Sequence, residues 1–115
     1  MKTTKKQFAA FKRSFLHWQK ELGMVDYKID FQHGGVQSER AAEIGINHEG
    51  RCAVVAMCDS LTKDDLGFDP VLHGKHEAIH LMLGRLASLA HSRYVLSREI
   101  YDAEEGIVRV LEKLL

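Results

Sequence analysis

Net charge, long apolar runs and cysteine are what this 115-residue chain has least of. Lysine plus arginine number 16 and aspartate plus glutamate number 16, so the formal charge is zero. Without a positive excess there is no electrostatic footprint for nucleic acid or an anionic membrane as the main partner. No apolar run is long enough to span a bilayer, and no signal-peptide apolar core follows the N-terminus. The two cysteines, Cys52 and Cys58, fall in one predicted strand. Six residues of strand separate them by about 20 Å, far beyond disulfide reach. They read as reduced core thiols, and a cytoplasmic location is expected. Repeats, linkers and low-complexity stretches are also missing. With 45% apolar and 28% charged residues, the chain reads as one globular domain spanning 1–115.

Residues 4–22 carry Phe8, Phe11, Phe15, Trp18 and Leu22 at helical spacing, with Lys5, Lys12, Arg13 and Lys20 off that stripe. Thr3 or Thr4 can cap this helix, and Gly23 stops it. The basic cluster Lys2, Lys5, Lys6, Lys12 and Arg13 reads as its solvated face. Tyr27, Ile29 and Phe31 alternate with polar residues as a strand, which Gly34-Gly35 breaks. Ala42, Ile44 and Ile46 form a second strand and 52–58 a third, joined by a turn over 47–50 as an antiparallel hairpin. Residues 59–66 are polar and read as a loop. Asp69 followed by the only proline, Pro70, is an N-cap and first-turn pair, so a helix is expected from about 70 to 90. A last helix is expected from roughly 98 to 115, with Tyr101, Glu104, Val108, Leu111 and Leu115 turned inward and Ile107 beside them.

The predicted 70–90 helix contains His76-Glu77-Ala78-Ile79-His80, an HExxH pattern. Residues four apart share a helix face, so both imidazoles can grip one ion, and zinc is the metal this pattern suits. Glu77 is then within reach of a water in the ion's open position, as a general base requires. Leu81-Met82-Leu83 continue the helix and anchor that turn in the core. The competing explanation is a pair of satisfied histidines on a half-buried face.

A catalytic zinc site needs a third protein ligand. The histidine continuation HExxHxxGxxH is excluded, because Leu83 and Leu86 stand where it needs Gly and His. Glu104 interrupts an otherwise apolar stripe, and a core-facing carboxylate is costly unless a cation holds it. Glu104 is therefore the favoured third ligand, with neighbouring Glu105 as the alternative. His73, three residues before His76, reads as a solvated or capping residue, with a partner of a ligand imidazole or a surplus ligand as the alternatives. Asp64, Asp65, Asp69 and Asp102 are candidate acceptors for a ligand's outward N–H. Tyr94 or Tyr101 could donate to an oxyanion. His17, His33, His48 and His91 have no partner at ligand spacing and read as surface residues.

The chain resembles the small zincin-type metallopeptidases, specifically minimal SprT-like proteins of phages and prophages. The matching stretches are Trp18 to Gly23, Asp26 to Ile29, Lys75 to Leu86 around HEAIH, and Glu104 to Glu112. The resemblance implies an α+β, minimal zincin-like domain with an N-terminal helix and a small, three-stranded, mainly antiparallel sheet. It further implies that the HExxH helix backs this sheet and that Zn2+ lies between the two C-terminal helices. A peptide or protein substrate would lie along an edge strand, for which 52–58 is the candidate. The alternative from another class is a non-catalytic zinc-binding interaction module. A histidine-triad nuclease of pattern HxxxHxxxxxH is disfavoured, because Leu86 occupies the third position.

Overall fold

The computed structural model describes residues 1–37, 40–61, 67–92 and 94–115. Its order is α1 (Lys5–Glu21), β1 (Lys28–His33), β2 (Ala42–Asn47), β3 (Cys52–Met57), α2 (Pro70–His91) and α3 (Ser97–Leu114), an α+β fold. Local chemistry sets α1. The Thr4 hydroxyl accepts from the Gln7 amide at 3.0 Å, and the Gln7 side chain accepts from the Thr4 amide at 2.8 Å, a reciprocal cap. Gly23, at φ 74°, turns the chain out of the helix. The aromatic stripe is the core, with Phe11 and Phe15 fully buried.

The sheet order is β1-β3-β2. β3 pairs parallel with β1 and antiparallel with β2. The predicted hairpin therefore forms, but the sheet is mixed rather than mainly antiparallel. The expectation that 52–58 forms an edge is corrected: β3 is paired on both sides. Its unbroken apolar run suits a central strand, and the edges fall to β1 and β2. One face, carrying Phe31, Ile44, Val55 and Met57, packs against the helices. The other is open, and Cys52 lies exposed upon it while Cys58 is buried, so only Cys58 is a core thiol.

α2 begins as the sequence predicts. The Asp69 carboxylate accepts from the Val71 and Leu72 amides at 3.0 and 3.3 Å, with Pro70 in the first turn. It lies directly on α1 at Gly74, where a Cβ would stand 2.6 Å from the Phe11 carbonyl oxygen. The Ser14 hydroxyl donates to the Val71 carbonyl across the same contact. α3 packs through Ile107 and Val110, and none of its residues is fully buried. Its half-buried row is Ile100, Ala103, Ile107 and Val110. The stripe expected to face inward is instead exposed, Tyr101 by 61% and Val108 by 43%. Among the described residues, no helix is long and apolar enough to cross a membrane.

Candidate metal centre

His76 and His80 lie one turn apart on α2, and their Nε2 atoms converge to 3.2 Å. Two zinc–nitrogen bonds of about 2.0–2.1 Å at a tetrahedral angle place their nitrogens about 3.3–3.4 Å apart. The imidazole pair therefore already has nearly the bite of a zinc chelate. The rings stand 75° apart in plane, with centroids 4.8 Å apart. The same separation serves as an N–H···N hydrogen bond when one ring carries its proton on Nε2. Both rings are exposed, and an ion could approach them from solvent.

Glu77, between them in sequence, points toward the sheet and is only 5% exposed. No hydrogen bond from the described residues reaches its carboxylate. Burial pushes its pKa above the ordinary carboxylate value. His80 and His76 pull it back, while the Glu43 charge adds to the rise and Arg40 opposes it. The Glu77 carboxyl is thus a buried group whose protonated form is favoured by its surroundings, beside two convergent imidazoles.

Gly84, one turn beyond His80, faces the Ile46 and His48 side chains, and a Cβ there would lie 2.8 Å from Ile46 Cδ1. Beside the histidines lies an open cavity of about 440 Å³ lined by Arg40, Ala42, Glu43, Ile44, His76, Glu77 and His80. The β2 register fixes which backbone groups reach it. The Cys58 amide donates to Ala41, and the pairing continues through Glu43 with Ala56 and Gly45 with Val54. Antiparallel alternation then turns the N–H and C=O groups of Ala42, Ile44 and Ile46 to the outer edge, where no described strand pairs. Ala42 and Ile44 are also walls of the histidine cavity.

The structure does not bring α3 to this cavity. α3 meets α2 on the side of Met82, Leu86 and Leu89, which with Ala103, Gly106 and Ile107 line a separate cavity of about 560 Å³. At about 100° per residue, that row lies roughly 130° around α2 from the two histidines. Glu104 is exposed and Glu105 half-buried on α3. Neither carboxylate lines the histidine cavity, and the row of α3 that packs is not the stripe on which Glu104 reads as core-facing. Among the described residues, no three His, Cys, Asp or Glu side chains are grouped closely enough to hold a metal. What the structure does bring together is the imidazole pair and the adjacent Glu77 carboxyl.

The remaining candidates disperse. Asp69 caps α2, Asp102 lines the α3 cavity, and Asp64 and Asp65 lie outside the described residues. His73 stacks on Phe68 at 5.1 Å. Tyr94 is 87% exposed and, like Tyr101, is absent from the cavity lining. Two histidines read as surface residues are structural. His33 stacks on Phe8, and its Nε2 lies 2.6 Å from the Thr3 hydroxyl, which itself donates to the Cys58 carbonyl. That hydroxyl proton is committed, so His33 carries the proton on Nε2. His48 Nδ1 is 2.9 Å from the buried Tyr27 hydroxyl. His17 and His91 are exposed as expected. Arg40 is the site residue the sequence reading missed; it lies in no motif, and only the return of the chain into β2 brings it to the histidines. No family model, curated protein or solved structure matches this chain.

Proposed function

We propose that this chain is a zinc-dependent metallopeptidase, akin to the small zincin-type enzymes of phages and prophages and acting in the cytoplasm on peptide or protein substrates. The observation that carries the reading is the 3.2 Å convergence of the His76 and His80 Nε2 atoms beside the buried Glu77. A pair of histidines satisfied by their own N–H···N hydrogen bond on a half-buried face accounts for the contact but leaves the buried Glu77 beside them without a role. His76 and His80 would hold the ion through Nε2. When bound, the ion supplies Lewis acidity, activating water and polarising a carbonyl.

The chain's own groups do the rest. Glu77 accepts the proton of the attacking water and delivers it to the leaving amine, a role its raised pKa favours. The free edge of β2 receives an extended peptide as an added strand, through the N–H and C=O groups of Ala42, Ile44 and Ile46. Since Ala42 and Ile44 also wall the histidine cavity, a peptide paired there passes the imidazoles. Arg40, at the cavity's rim, is a donor suited to negative charge developing on the carbonyl oxygen.

The test pairs metal content with hydrolysis. Glu77→Gln is expected to retain zinc and lose peptide hydrolysis by at least about 100-fold, as removal of a general base does. Unchanged turnover in that variant would sink the peptidase reading. Zinc bound by the wild type without hydrolysis of any peptide would favour a non-catalytic zinc-binding module.

A further inference from the structure

A peptide added to β2 must follow the two-residue alternation of the sheet. Its residues facing Ala42 and Ile44 turn toward α2, and those facing Glu43 and Gly45 turn to the open face. On that open face Gly45 is a notch, since nothing lies within 4 Å of where its Cβ would be. Behind the notch, across the strand pair, stands Val54, 40% exposed. Two shallow grooves, of about 600 and 310 Å³, meet at Gly45 and Val54. Glu43 walls the smaller one, with Gln32 and Ala56 across from it.

We propose that this notch is a substrate subsite for a lysine or arginine side chain, and that Glu43 is the residue that selects it. The inference rests on the metallopeptidase reading and names its substrate class. A side chain opposite Gly45 meets no β2 side chain at its own level, so its stem can lie over the glycine against Val54. Its diagonal neighbour on β2 is Glu43, about 7–8 Å away between backbones, a span that a long basic side chain and a glutamate cover together. The stem gains apolar contact while the cation reaches a carboxylate, which neither a small nor an acidic side chain can match. Glu43's present partner is easily replaced: Arg40 stands 3.7 Å away, and its side chain is 61% exposed. In the larger groove Lys28 and Asp30 offset one another, leaving Glu43 to set the sign of the subsite.

The experiment incubates zinc-loaded wild type and Glu43→Lys with a terminally blocked random-sequence peptide mixture and locates cuts by mass spectrometry. Wild type is expected to prefer Lys or Arg over Asp or Glu at one fixed position by at least tenfold. Glu43→Lys is expected to reverse that preference toward acidic residues. A binding measurement on Glu77→Gln, with dye-labelled extended peptides differing by one Lys→Glu exchange, should show the same order. Cleavage without a basic preference, or an unchanged preference in Glu43→Lys, overturns the subsite and leaves the peptidase reading standing. If zinc-loaded wild type cuts nothing, the peptidase reading falls and the subsite with it.

Discussion

Gly74 and Gly106 are both mid-helix glycines, yet alanine should act on them with opposite signs. Helix propensity alone favours alanine at either position by about 0.8–1 kcal/mol. At Gly106 nothing lies within 4 Å of the added Cβ, so that gain should be realised almost in full. At Gly74 the same atom would meet the Phe11 carbonyl oxygen at 2.6 Å, the Ser14 Cβ at 2.9 Å and the Phe15 amide nitrogen at 3.0 Å. Two of these are backbone atoms of α1 and cannot rotate away, so α2 must lift. Overpacking of this kind costs about 1–3 kcal/mol, which leaves Gly74→Ala less stable by up to about 2 kcal/mol net. The lift would also move His76, two residues on, relative to β2. Urea unfolding of the metal-free protein, with an unchanged m-value, measures both variants. Melting should shift by about 4 °C per kcal/mol, downward for Gly74→Ala and upward for Gly106→Ala. Equal stabilisation by both substitutions would refute the close contact between α1 and α2.

Other substitutions separate scaffold from site. Asp69→Ala removes the side chain that accepts from the Val71 and Leu72 amides, and should cost about 1 kcal/mol by thermal unfolding. Tyr27→Phe removes the hydroxyl that meets His48 Nδ1 and should cost about 1 kcal/mol in the same assay, with zinc affinity unchanged. Glu104→Ala, at an exposed position, should stay within about 0.5 kcal/mol of wild type and bind zinc equally well. Weakened zinc in that variant would return the third ligand to α3. Metal-free Glu77→Gln should be at least as stable as wild type near neutral pH, because burial disfavours the ionised carboxylate and the neutral amide avoids that cost.

What was legible in the sequence is what short-range chemistry decides. The Thr4 cap, the stop at Gly23, the Asp69-Pro70 start and the 42–57 hairpin all follow from residues within a few positions of one another. The central place of β3 depends on β1 returning to pair with it, a contact between residues 28–33 and 52–57 that no local pattern announces. α3 was misread for a different reason. It carries one apolar row through Ile100, Ala103, Ile107 and Val110 and another through Tyr101, Val108 and Leu111, so periodicity alone does not choose the face. Only packing against Met82, Leu86 and Leu89 does, and that choice carries Glu104 away from the histidines. His33 and His48 looked idle because Thr3 and Tyr27 lie 30 and 21 residues away. The HEAIH turn itself was fully legible, since helical spacing fixes its two imidazoles without help from the rest of the chain.

The most direct measurement is the zinc content of purified wild type beside His76→Ala and His80→Ala, each verified as folded by circular dichroism. One equivalent of zinc in wild type, lost from both variants, is the predicted result. Zinc-free wild type, or metal retained after either histidine is removed, would contradict the account.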